Sequence, residues 1–412
     1  MANISESIVR KDNLSLIKTN KYKDISIYVK CGFEFDEKHK AALSILCGML
    51  NDTCKKYPTK QEMLRQRDML YGLNYQCSIN NVSDITVFSF YYSFLNPRFV
   101  SDVDITDYIG FIDETLHHPN LNEEAFLEAK KIIIDETRRR LDNPGNLAIA
   151  NFMDELIRDD TDFKPYQINT IKTIEKIRFK DVVDAYDSLF KSRVDVFLIG
   201  DFQDELVSYF KGIKSQNNLK LHKHSRLLES RKELNERKET KQSNLIVAYS
   251  SPYVKKESRD YYAFLVGNVL FGGIPSSLLF SEVREKDSLC YSIYAKSYRY
   301  EGVVCVVTSI DNKNKEKALK DIRNQYARMV NKDYDEELLD MAKAMLINNS
   351  LTMNDDLEYL TDYAYAAKLD GRFIPCEDLI KRIMDVTTDD IARVFRNYRE
   401  YLVYYLEGSV NE

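Results

Sequence analysis

The strongest constraint on the fold is that the chain repeats itself. Thr173–Asp201 reads TIEKIRFKDVVDAYDSLFKSRVDVFLIGD, and Ile380–Gly408 reads IKRIMDVTTDDIARVFRNYREYLVYYLEG. Each predicts a short helix, a second helix opened by an acidic residue (Asp181, Asp390), and an apolar strand ending near a glycine (Gly200, Gly408). Upstream and in the same order, LEAKKIIIDETRRRLDN from Leu127 is matched by LDMAKAMLINNSLTMND from Leu339. Two ordered repeats predict two copies of one domain, spanning 1–212 and 243–412. The segment 213–242 between them is highly charged and almost without apolar period, so it predicts a surface linker, at most partly helical. His222 and His224, in KHKHS, read as solvated surface there.

Each copy carries the same run of elements. Leu14–Thr19 and Ile25–Phe33 read as strands, and Asp36–Asn51 as a helix apolar nearly all round, hence buried. Thr59 and Glu62 form the pattern of a capping box for a helix reaching Leu70. Tyr75–Ile79 and Ile85–Phe94 are rich in β-formers and predict paired strands. Helices follow near Asp104–His117 and over Glu123–Arg158, with a break at Pro144. The second copy predicts a strand at Asn244–Ser250, helices at Lys256–Leu270 and Ser276–Lys286, and strands at Cys290–Ser297 and Gly302–Ser309. Long helices run from Lys315 onward. The fold class is α+β: two homologous domains, each a mostly antiparallel sheet packed against several helices.

Hydrophobic residues make up 44% of the 412 positions and charged residues 30%, enough for a sizeable core. A net charge of −6 leaves no basic excess for neutralising phosphates, which argues against nucleic acid as a partner. MANISESIVRKDN has no apolar stretch of the kind an export signal carries. No run approaches the ~20 apolar residues of a membrane helix. Seven cysteines without Cys-x-x-Cys spacing predict reduced thiols and a cytoplasmic location.

Three stretches carry a family resemblance: FGGIPSSLLFSEVREKDSLCYSIYAKSYRYEGVVCVVTSID from Phe271 to Asp311, KKYPTKQEM after the first helix, and IIIDETRRRLDNP. With them, the whole chain resembles the pitrilysin/insulinase family of zinc peptidases, in the short bacterial form built of two homologous halves. The resemblance implies the fold of the mitochondrial processing peptidases and a clamshell around a chamber for unfolded peptide. Active members carry His-x-x-Glu-His on the first helix. Histidines at i and i+4 share a helix face and bind zinc, and the glutamate activates a water. A third ligand comes from a later helix. Here the motif positions read SILCG: Ser44 and Gly48 stand where the histidines belong, and Cys47 stands where the base belongs. Asp135 and Glu136 fall near the third-ligand position. The five histidines (His39, His117, His118, His222, His224) all lie in polar sequence settings outside any two-ligand helix spacing. The chain is therefore expected to hold no catalytic zinc and no other cofactor. A site from Cys47, Cys54 and His39 is the rival reading.

Gly272 and Gly273 predict a tight turn before the Pro275-Ser276 helix start, with Ser276 or Ser277 as its N-cap. Arg284 and Tyr291 match an arginine and a tyrosine that, in the family, point from the second half towards the zinc and stabilise the oxyanion. Taken without the resemblance, Arg284 reads as a helix-end ion pair with Glu282 or Glu285, and Tyr291 as a strand aromatic. The resemblance implies a subunit that lends Arg284 and Tyr291 in trans to a homologous partner bearing His-x-x-Glu-His and zinc, with a small or unfolded peptide as substrate. Without the partner, homodimerisation stays open. The alternative is an inactive peptide-binding or scaffolding protein with no proteolytic partner, binding extended chains by strand addition. Nothing in the sequence supports an independently active hydrolase.

Overall fold

The computed structural model describes residues 8–159, 170–216, 219–223, 232–353 and 355–409. Its strands are β1 (Ile8–Lys11), β2 (Leu14–Lys18), β3 (Asp24–Glu34), β4 (Asn74–Val82), β5 (Ile85–Leu95), β6 (Arg193–Gly200), β7 (Lys232–Lys238), β8 (Ser243–Ser250), β9 (Cys290–Tyr298), β10 (Val303–Ile310) and β11 (Arg399–Gly408). The α-helices of the first half of the chain are α1 (Glu37–Asp52), α2 (Lys60–Met69), α3 (Ile105–His117), α4 (Glu123–Asp142), α5 (Pro144–Asp159), α6 (Ile171–Lys176), α7 (Phe179–Ser188) and α8 (Asp204–Lys211). Those of the second half are α9 (Arg259–Gly272), α10 (Lys315–Asn331), α11 (Glu336–Thr352), α12 (Leu357–Asp370), α13 (Cys376–Met384) and α14 (Thr388–Phe395). Among the described residues no helix is long and apolar enough to cross a membrane.

The first sheet runs β1-β2-β6-β3-β5-β4 and the second β7-β11-β8-β10-β9. Each is antiparallel except for one parallel pair, β2 with β6 and β7 with β11. Matched strand for strand, the second sheet is the first without its β1, which is the duplication seen in the sequence. The charged segment 213–242 differs from its reading as a linker: its residues Lys232–Lys238 form β7. Apolar periodicity cannot reveal such a strand. KELNERK lies at a sheet edge with mostly exposed side chains, and it is held through its backbone by β11.

One face of each sheet packs on a core of helices. On the first, Ile25, Ile27, Val29 and Cys31 of β3 share a core with α1, whose Leu43, Ile45 and Leu46 are fully buried. Asp36 caps α1 by accepting from His39 N at 2.7 Å, and Thr59 and Glu62 close the capping box of α2. The helix beginning at Glu123 breaks before Pro144, which starts α5 at a position where its missing N–H costs nothing.

The compact units differ from the contiguous spans 1–212 and 243–412 in two helices. One unit gathers Met1–Arg138, Tyr166–Leu221 and Asn354–Phe373; the other gathers Arg139–Pro165, His222–Met353 and Ile374–Glu412. So α12 covers the outer face of the first sheet and α5 that of the second. Within the first unit, Lys30 of β3 pairs with Asp362, and Asp195 of β6 accepts from Arg193 at 2.8 Å and from Lys368 at 2.6 Å. Within the second, Phe152 and Leu156 are buried, and Asn151 donates to Glu236 of β7 at 2.8 Å.

Candidate functional site

Ser44, Cys47 and Gly48 line a cavity of about 390 Å³ between α1 and α4. Its far wall is the α4 stripe Ala125, Ala129, Ile132, Ile133 and Glu136, spaced three and four apart on one helix face. The donor set for a metal is missing. The Ser44 hydroxyl donates to the Lys40 carbonyl at 2.9 Å. Burial pushes the Cys47 thiol up to about 12, so it stays protonated at neutral pH. A Cβ added at Gly48 would lie 3.4 Å from the Ala129 Cβ, so small residues let the two helices approach. Asp135 turns aside to Arg138, at 3.4 Å, and Glu136 is the one of the two that faces the cavity. At the cavity's rim, Lys60 bridges Asp52 of α1 and Glu128 of α4, at 2.8 and 3.1 Å. An ammonium group thus links the two helices beside the place where the family carries a metal.

The rival set does not assemble: among the described residues, no three His, Cys, Asp or Glu lie close enough to hold an ion. Two histidines pack against aromatic rings, His39 half-buried and His117 exposed. His39 packs edge-on against Phe33 and meets Ser188 Oγ at 3.1 Å, and His117 lies against Phe190. Burial lowers the pKa of both rings. His222 falls on a described loop, and His224 lies outside the described residues.

Arg284 and Tyr291 sit on two backbone irregularities of the second unit. Phe280–Lys286 is a π-helical turn, and Asp287 N closes it on the Glu282 carbonyl five residues back, at 3.2 Å. Such turns add a residue to the helical register and are frequent at functional sites. Next to it, β9 is the edge of its sheet. Ser309 of β10 pairs with Ser292 and Ile310 with Cys290, so Tyr291 is the extra residue of a β-bulge. Bulges re-aim side chains, and Tyr291 is 61% exposed. The ion-pair reading of Arg284 does not describe its surroundings. Glu282 is taken by Lys286 at 2.8 Å and Arg328 at 3.3 Å. The Arg284 guanidinium instead lies over the Phe280 ring, 4.3 Å from its centroid. Burial raises the pKa of Cys290, the neighbour of Tyr291, while Thr308 and the positive charge of Arg284 act against it; the arginine and the bulge are therefore close.

The glycine and serine expectations change in mechanism. Neither Gly272 nor Gly273 has a positive φ. A Cβ at Gly272 would stand 2.6 Å from the Ala295 backbone nitrogen, so the glycine lets α9 touch β9 and fixes the strand that carries Tyr291. Neither serine acts as an N-cap: the Ser277 hydroxyl is buried without a hydrogen-bond partner among the described residues, and Ser276 Oγ approaches Met341 Sδ at 3.7 Å. The π turn and the bulge leave no trace in composition or period, and only the family pattern singled out the two residues on them.

Residues 176–346 match the family described as the peptidase M16 inactive domain. Over 410 residues the chain is 24% identical to a Bacillus subtilis (strain 168) protein named "Probable inactive metalloprotease YmfF", covering 96% of this chain and 95% of that one. Two solved structures share the fold. A conserved protein from Enterococcus faecalis V583 superposes with a TM-score of 0.91 at 22% identity, over 97% of both chains. A peptidase M16 inactive domain from Pseudomonas fluorescens gives 0.79 at 15% identity, over 98% of this chain and 99% of that one. With SILCG in place of the zinc motif, the chain is similar over nearly its whole length to inactive M16-type peptidase homologues in sequence and fold, and it lacks the histidines that bind zinc in active peptidases of that type.

Proposed function

We propose that this chain is the non-metal-binding subunit of a heterodimeric zinc metallopeptidase acting on small or unfolded peptides. A homologous partner brings His-x-x-Glu-His and zinc, and this chain brings Arg284 and Tyr291. The observation that carries the reading is the contrast between the two sites. The metal position has lost both histidines and the glutamate, with Ser44, Gly48 and Cys47 in their places, yet Arg284 and Tyr291 stand on a π turn and a bulge with no carboxylate partner for the arginine among the described residues. A guanidinium and a phenol are donors that suit the carbonyl oxygen of a peptide as it gains negative charge.

The test is reconstitution with a zinc-bearing partner. Arg284→Ala is expected to lower kcat/KM by about 10²-fold or more, and Tyr291→Phe by about 10-fold or more, with assembly unchanged. Unchanged turnover in an intact complex would sink the role in trans. It would favour the scaffolding reading, for which the open edge of β9 offers a strand-pairing surface.

A further inference from the structure

The outer face of the first sheet holds a cleft of about 650 Å³ that shares no lining residue with the cavity between α1 and α4. Two cross-strand rows form its floor. Tyr28, Tyr91 and Gln76 stand side by side on β3, β5 and β4, and so do Lys30, Ser89 and Ser78. The tyrosine rings of the first row are 4.7 Å apart. The two serines of the second row are short, and beside tyrosines they leave a hollow. Asp355, the N-cap Asp356 and the first two residues of α12, Leu357 and Glu358, supply the opposite wall.

The charges in this cleft are not all spent on the fold. Lys30 is buried and paired with Asp362, and Lys21 is paired with Asp355. Asp356 caps α12 by accepting from Tyr359 N at 2.9 Å. Glu358 is exposed and has no partner among the described residues. It lines the same cleft as Tyr28 and Tyr91, and burial, then Tyr91 and then the charge of Glu358, push the Tyr28 phenol up. Aromatic faces and a free carboxylate above amide and hydroxyl groups form the surroundings that recognise an organic cation. Gln76, Ser78 and Asn80 extend the same face along β4, the edge strand.

We propose that this cleft binds a guanidinium or primary ammonium group, held between the Glu358 carboxylate and the Tyr91 ring. The cation comes either from an arginine or lysine side chain of an extended peptide or from a free small amine. The site belongs to this chain alone and does not depend on the subunit role proposed above.

The experiment is calorimetric titration of the purified chain with three probes: agmatine, a blocked Ala-Arg-Ala peptide, and the same peptide with citrulline for arginine. Saturable binding of the arginine peptide or agmatine is expected, with citrulline at least about tenfold weaker. A peptide tighter than agmatine assigns a side chain; agmatine as tight as the peptide assigns a free cation. Glu358→Gln, at an exposed position, is expected to keep the melting temperature and weaken binding about tenfold. Gln76→Glu, which adds a carboxylate on the same row, is expected to tighten it severalfold. Absence of saturable binding, equal affinity for citrulline, or indifference to Glu358→Gln overturns the proposal.

Discussion

At the scale of single residues, the duplication is written most clearly in two aspartates. Asp181 and Asp390 open equivalent helices, and each accepts from the backbone N–H three residues before it, at 2.9 and 3.0 Å. Each also takes a cation from near the start of an equivalent helix, Lys38 for Asp181 and Arg259 for Asp390, at 2.8 and 2.7 Å. Bonds from Lys38 and then Arg178 hold Asp181 far below the usual carboxylate range. For Asp390, burial opposes ionisation, but Arg259, Thr387 and Arg393 outweigh it and its pKa is also depressed. The unfolded pKa is about 3.9, so the folded state binds this proton less readily than the unfolded state. The stabilisation is therefore complete above the unfolded value and lost as pH falls through the folded one. Asp390→Asn is expected to cost about 2 kcal/mol at pH 7. In denaturation curves taken across pH, the gap from wild type should hold above about pH 5 and narrow below about pH 4. A gap that widens in acid would contradict the assignment.

At the scale of elements, much was legible and the rest has identifiable reasons. The buried helix α1, the capping box at Thr59 and the break at Pro144 were readable because each depends on local pattern. Strand β7 was not, because an edge strand held by its backbone needs no apolar code. Nor was the placement of α5 and α12, whose sheets are chosen by tertiary contacts. At the candidate site, the missing ligands were readable at Ser44 and Gly48, whereas the Lys60 bridge and the turn of Asp135 away from the cavity follow from helix packing. The hold on α12 is itself testable. Asp195, 2% exposed, is the shared acceptor of Lys368 and Arg193. Asp195→Ala leaves two largely buried cations without their anion, and the expected loss is about 3–5 kcal/mol in urea unfolding. Adding Lys368→Met should restore part of it, because one uncompensated charge is then gone. A double variant less stable than Asp195→Ala would mean that Lys368 acts through packing rather than charge.

At the scale of the whole molecule, the argument turns on where a metal can be bound and what its binding would be coupled to. A structural or catalytic zinc needs three or four donors in their deprotonated form. Here the two histidine positions are Ser44 and Gly48, the Cys47 thiol stays protonated, and the acids Asp52 and Glu128 at the rim are held by Lys60. A metal that does not bind the folded chain cannot stabilise it, since ligand stabilisation arises only from preferential binding to the native state. The purified chain should therefore contain substoichiometric zinc, and its melting temperature should not move with a chelator or with added zinc. In the reconstituted pair, elemental analysis should find one zinc per two chains. A chelator should then abolish peptide cleavage while Arg284→Ala leaves the zinc content untouched, which separates the metal half of the site from the half on this chain. Stoichiometric zinc in the isolated chain, or a melting temperature that falls with chelation, would show that α1 and α4 hold a metal after all, and that this chain is not the metal-free subunit proposed.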